Sequence, residues 1–180
     1  YEASVAGGVP IIKVIREALV GNRVTHLYGI LNGTCNFILT KMNEGMEFDG
    51  AVKLAQQQGY AEADPTLDVG GHDAAHKVGI LASLAHGFWV KPKQVYTVGI
   101  EQVVPLDLEF ANSLGYAIKL LGIVKTSKPG SVQVSMYPAL IPDDHVLANV
   151  SDVYNGILVR GDVVGDCLLY TSPSPRDGRE

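Results

Sequence analysis

The chain has 180 residues and a formal net charge of −5, with 47% hydrophobic and 18% charged residues. That balance belongs to a globular domain with a sizeable core and argues against disorder, and without clustered Lys and Arg it argues against a nucleic-acid or anionic-membrane partner. Two cysteines, Cys35 and Cys167, form no CxxC and predict a reduced, cytoplasmic setting, while no apolar run approaches the roughly 20 residues of a membrane span.

In chain order, Pro10 opens a helix where its missing N–H costs nothing, and Ile11, Ile12, Ile15, Ala18 and Leu19 give it an apolar stripe that Gly21-Asn22 ends. Residues 24–31 read as a strand. Asn32-Gly33-Thr34 is a turn and cap leading into a helix with Phe37, Ile38 and Met42. A further amphipathic helix covers 48–58 and stops at Gly59. Residues 60–71 read as a loop carrying Glu62, Asp64 and Asp68. A helix runs from Asp73 to about His86, followed by strands at 96–103, 117–126, 132–140 and 153–164 and one short helix at 106–114. Lys128-Pro129-Gly130 predicts a hairpin turn. Helices dominate the first half and strands the second, an α+β order. No G-x-G-x-x-G follows a strand anywhere, so a nucleotide-binding Rossmann domain is missing from the chain.

The chemistry concentrates in residues 55–77, AQQQGYAEADPTLDVGGHDAAHK. Asp73 and Lys77 stand four apart at the start of a helix and share one face. The eight residues after Lys77 carry no charge, so this pair sits where a buried helix meets a carboxylate-rich loop. One reading is a solvated i,i+4 ion pair of about 0.3–0.5 kcal/mol with no chemistry. The other is a site where Lys77 exchanges a proton and the carboxylates hold a cationic group. Spacing alone leaves both open. His72 and His76 mimic the zinc motif H-E-x-x-H and suggest a zinc hydrolase, but an Asp replaces the Glu, Lys77 adjoins His76, and no third ligand is signalled beyond Asp64, Asp68 or His86 brought near in space.

The same segment resembles the signature of homoserine dehydrogenases. Ala55, Gly59-Tyr60-Ala61, Asp64-Pro65, Asp68-Val69, Gly71, Asp73 and Lys77 stand at the required gaps, and EASVAGGVP (2–10), YGILNGTCN (28–36) and VRGDVVGD (159–166) agree with the family. The resemblance covers about residues 1–166. It implies a catalytic, substrate-binding and dimerisation domain: a mixed β-sheet with helices packed on one face, the later strands contributing to a homodimer. It implies NAD- or NADP-dependent interconversion of L-homoserine and L-aspartate 4-semialdehyde, on the route to threonine, methionine and isoleucine.

By the same resemblance, Lys77 is the acid/base, Glu62 and Asp73 bind substrate, and Asp68 either joins them or braces Lys77, the alternative being an Asx turn that only shapes the loop. Gly59 lies close to the cofactor. Glu2, Val5, Gly7 and Val9 form a monovalent cation site, usually sodium, largely through backbone oxygens. Asn32-Gly33-Thr34 is either a helix cap or part of the cleft, and Asp64-Pro65 reads as a turn. A competing reading keeps the carboxylates as the amino-acid-binding pocket of a non-catalytic regulatory module.

The absence of an initiator Met suggests that the chain begins inside a larger protein, and residues 167–180 read as a foreign-looking, disordered tail resembling translated adaptor sequence. With no nucleotide-binding domain, the 180-residue chain alone is expected to show no dehydrogenase activity. NADP-dependent oxidation of homoserine by the isolated chain would contradict this.

Overall fold

The computed structural model of the chain describes residues 2–128 and 130–171. Six strands form one sheet in the order β2-β4-β3-β1-β5-β6. The central strand β1 (Val24–Ile30) runs antiparallel to β3 (Tyr116–Lys128) on one side and to β5 (Asn155–Gly161) on the other. Strand β4 (Ser131–Pro142) pairs with β3 along nearly its whole length, and β6 (Gly165–Thr171) closes the far edge against β5. Among the described residues only β2 (Tyr96–Thr97) is parallel to its neighbour β4, which makes the sheet mixed.

Alternation along the strands sorts apolar side chains onto two faces. Leu120 and Val124 of β3 join Leu27, Ile157 and Val159 in a core shared with the helices. Leu121 and Ile123 join Ile30, Ile141 and Leu158 in a second, smaller core, which Leu147 and Val150 cover from the segment after β4. The helices therefore lie over one face. They are α1 (Ile11–Lys13), α2 (Gly33–Asn43), α3 (Phe48–Gln57), α4 (Thr66–Val69), α5 (His72–His86) and α6 (Pro105–Ser113). Helix α1 runs on as a π-helical stretch, Val14–Ala18, where Leu19 N donates to Val14 O.

Helix α5 carries the residues of interest, and its packing fixes where they point. Ala74, Ala75, Val78, Leu81 and Ala82 are buried against the sheet. Gly122 of β3 lets the helix approach: a Cβ there would lie 3.1 Å from Val78 Cγ2. The start of α5 is set by a second close approach, in which a Cβ on Gly99 would stand 2.1 Å from Val69 O. Ile100 N donates to that same carbonyl at 2.7 Å, so the 98–100 segment and the α4–α5 junction lock together through backbone. On the other side of β3, Lys119 is buried and donates to Val150 O at 2.8 Å and Asn36 Oδ1 at 3.3 Å, tying the covering segment to α2. Burial lowers its pKa to about 8.

Several sequence expectations are corrected. The strand predicted over 96–103 stops after Thr97, because the chain leaves the sheet to make the Gly99–Val69 contact. The loop predicted over 60–71 contains α4, which begins where the Asp64 carboxylate accepts from Thr66 N at 3.1 Å. The strand over 153–164 ends at Gly161 and turns into β6. Order thus extends past residue 166: Cys167 pairs with Val159 and Leu169 with Ile157 in β6, since the free edge of β5 offers backbone partners to the next segment. The rest of the predicted tail, 172–180, lies outside the described residues, as does Pro129 of the predicted hairpin turn. Beside that position Gly130 has a φ of +80° and Lys128 pairs with Ser131.

Gly99→Ala should displace the 69–71 backbone and cost roughly 2–3 kcal/mol, at the upper end of overpacking penalties. A chemical-denaturation midpoint indistinguishable from that of the parent chain would contradict the contact.

Candidate active site

Five pieces of chain converge at the C-terminal end of β1. Leu31 and Asn32 follow the strand, α2 starts immediately after them, and α4 and the first two turns of α5 come from across the Gly70-Gly71 junction. The loop after α3 brings Gly59 to Glu62 alongside, held where the Thr34 hydroxyl donates to Tyr60 O at 2.6 Å. Asp73 and Lys77 lie one turn apart on the same face of α5, because four residues nearly complete a turn.

Lys77 Nζ donates to Asp73 Oδ2 at 2.6 Å and to the Leu31 carbonyl at 3.2 Å. The side chains are half-buried, 26% exposed for Lys77 and 37% for Asp73. At that exposure the pair contributes under about 1 kcal/mol to stability, so stability is a poor reason for its geometry. An ammonium has three donors and two are engaged here. Asn32 Nδ2 donates to Asp68 Oδ1 at 2.7 Å and to Asp73 Oδ2 at 3.0 Å, while Asn32 Oδ1 accepts from Cys35 N at 2.8 Å and caps α2.

Carboxylates outnumber cations in this cluster. Burial raises the Asp68 carboxyl above its ordinary pKa; the Asn32 hydrogen bond and the Lys77 charge oppose this, and the Asp73 and Glu62 charges add to it. Cys35, buried beneath with its thiol donating to Asp68 O at 3.1 Å, has its pKa pushed well up by burial and then by Asp68 and Asp73. A site with surplus negative charge and one ammonium is suited to a small ligand that carries both a cationic group and an oxygen able to accept or release a proton.

The structure brings together Lys77, Asp73 and Asp68 among the residues singled out from sequence. Glu62 sits at the exposed rim, near enough for its charge to act on Asp68. Gly59 ends α3 with a φ of +78°, and a Cβ there would meet nothing within 4 Å, so open space adjoins it. Asp64 is engaged with Thr66 in a turn, as its sequence context suggests. Glu2, Val5, Gly7 and Val9 lie apart from the cluster, in the loop leading to α1. There the Glu2 carboxylate accepts from Ile12 N at 2.7 Å and Lys13 N at 3.1 Å, and Val9 O accepts from Ile11 N at 2.7 Å. His72 and His76 face a different groove, lined by Pro92, Lys93, Val95 and Thr97. Among the described residues no group of three His, Cys, Asp or Glu could hold a metal ion, so the zinc reading lacks its third ligand. The sequence reading left Asn32-Gly33-Thr34 as a cap or part of the cleft, and it missed the Leu31 carbonyl and the two hydrogen bonds that Asn32 donates to Asp68 and Asp73. A cap residue ending a strand was the only signal for either.

A family model described as homoserine dehydrogenase matches residues 10–177. A homoserine dehydrogenase of Pseudomonas aeruginosa is 49% identical over 171 residues, covering 94% of this chain and 39% of the relative. The crystal structure of a homoserine dehydrogenase from Thiobacillus denitrificans superposes with a TM-score of 0.93 at 47% identity, over 98% of this chain and 42% of that one. A hyperthermophilic archaeal homoserine dehydrogenase mutant in complex with NADPH has a TM-score of 0.80 at 30% identity, over 97% of this chain and 49% of that one. The chain thus spans about two fifths of the length of the curated relatives it matches.

Because the Asp68 carboxyl is raised in the fold, folding favours its protonated form. The stability this gives is present below the ordinary value near 4 and is lost as pH rises through the folded value. Asp68→Asn should therefore be more stable than the parent at about pH 7, with the difference closing as pH falls toward about 4. Thermal melting across that range checks the sign, and a variant less stable at neutral than at acid pH relative to the parent would refute it.

Proposed function

The chain belongs to the homoserine dehydrogenase family, and from that premise we propose that the protein containing it interconverts L-homoserine and L-aspartate 4-semialdehyde with NAD or NADP in cytoplasmic threonine, methionine and isoleucine biosynthesis. The observation that carries the reading is the Lys77 ammonium, held by Asp73 and the Leu31 carbonyl with one donor left, inside a surplus of carboxylates.

A nicotinamide cofactor, when bound, would supply the hydride to the aldehyde carbon or accept it from the alcohol carbon. What falls to this chain is binding and the proton. Glu62 and Asp73 receive the substrate ammonium through charge-assisted hydrogen bonds, with Asp68 adding to the negative field. The third N–H of Lys77 points the substrate oxygen toward Nζ, stabilises the negative charge that grows on it during reduction, and delivers the proton. In oxidation the neutral amine takes the hydroxyl proton. Asp73 keeps the amine in place in both directions. The open space at Gly59 supports a cofactor lying close to the backbone there.

A sodium ion would be held by backbone oxygens of Glu2, Val5, Gly7 and Val9, a hard-oxygen donor set suited to such an ion. Positive φ at Ala6 (47°) and Gly8 (85°) coils that loop, and the Glu2 carboxylate is already engaged with the start of α1. The ion would brace the loop and take no part in proton transfer. A homodimer formed through the sheet face away from the helices is supported by its aromatic surface: His26 stacks on Tyr28 at 5.9 Å, Lys125 Nζ lies 5.9 Å from the Tyr28 ring, and Tyr96 meets Tyr137 edge-on.

In the complete protein, Lys77→Ala should lower kcat for NADP-linked homoserine oxidation by roughly 100-fold or more. Glu62→Gln should mainly raise KM for homoserine, by roughly tenfold. Absorbance of the reduced cofactor follows both. A Lys77→Ala enzyme retaining a third of its parent's kcat would end the acid/base assignment.

A further inference from the structure

Asn32 is 6% exposed, and its side chain makes three hydrogen bonds that together leave no donor free. One amide nitrogen bridges the carboxylates of Asp68 and Asp73, which come from two different helices, and the amide oxygen is anchored to the first turn of a third helix. Asp73 Oδ2 is shared between this amide and Lys77 Nζ. We propose that Asn32 is a positioning residue for the reaction: its amide clamps Asp68 and Asp73 side by side and fixes the Asp73 oxygen on which the Lys77 amine is registered. This rests on the dehydrogenase reading above.

The residue type matters physically. Two carboxylates bonded to one nitrogen repel each other, and a neutral NH2 satisfies both without adding charge. A Lys or Arg in its place would cancel the negative charge that attracts a substrate ammonium. An Asp would keep the α2 cap, because its oxygen accepts from Cys35 N equally well, but would turn both clamp bonds into oxygen–oxygen repulsions. Leu31 adds to the same arrangement from the adjacent position, since its carbonyl holds the Lys77 amine from the other side. The end of β1 therefore sets the acid/base group and both carboxylates at once.

Asn32→Asp separates the clamp from the cap. In the complete protein it should lower kcat/KM for homoserine oxidation roughly 10- to 100-fold, the cost of a small misplacement. Extra negative charge beside Lys77 favours its protonated form, so the limb of the pH profile on which activity rises as Lys77 loses its proton should move to higher pH. The double variant Asn32→Asp/Asp68→Asn puts an amide back opposite a carboxylate and should recover at least half of that pH displacement. A residue with only a structural role would lower activity without moving the limb and would show no recovery, and that result would overturn the proposal. Carboxyl NMR titration of the 180-residue chain gives a reading independent of turnover. Asp68 should titrate higher in Asn32→Asp than in the parent, and superimposable curves would show that no clamp exists. If the curves move but the unsubstituted complete protein oxidises no homoserine, the dehydrogenase reading fails and the clamp stands as a feature of some other site.

Discussion

The 2.6 Å contact between Lys77 Nζ and Asp73 Oδ2 is the interaction around which the candidate site is arranged. A half-exposed pair of this kind adds little to folding, so its geometry has to be imposed by groups that are themselves fixed. Three of them are. The Leu31 carbonyl belongs to the residue that follows the central strand, Asn32 caps α2, and the start of α5 is locked by the Gly99 contact with Val69. The apolar remainder of α5, pressed on β3 through Gly122, prevents the helix from rotating the pair away.

The electrostatics follow from that placement. Asp68 and Asp73 share one amide donor, with Glu62 at the rim, and the one ammonium among them does not balance their charge. Such an excess is costly in a partly dehydrated place, as the raised Asp68 carboxyl indicates. An amino acid entering the site would relieve it by bringing its own ammonium.

The sheet divides the work between its faces. Helices and glycine contacts cover one side and build the cluster at the end of β1. The opposite side is covered partly by the segment after β4, which Asn36 and Lys119 tie down through Val150 O, and beyond it carries His26, Tyr28, Tyr96 and Tyr137. Among the described residues no helix is long and apolar enough to cross a membrane.

Local pattern was enough for much of this. The periodicity of α2, α3 and α5, the alternation in β3 and β4, and the four-residue spacing of Asp73 and Lys77 are properties of neighbouring residues, and they are legible without a fold. The likeness of residues 55–77 to one family's signature was legible for the same reason. What the sequence could not decide were the contacts between residues far apart in the chain. The strand expected at 96–103 was cut short because Gly99 meets Val69, 30 positions away. Residues 167–171 were read as tail because their partner is β5, a pairing their own composition does not announce. The choice between an idle surface ion pair and a working site was likewise open on spacing alone. What tertiary structure adds is the Leu31 carbonyl and the Asn32 amide, some forty residues upstream, placed against the same two side chains. Hydrogen bonds of that range depend on how helices dock on a sheet, and no local pattern encodes them.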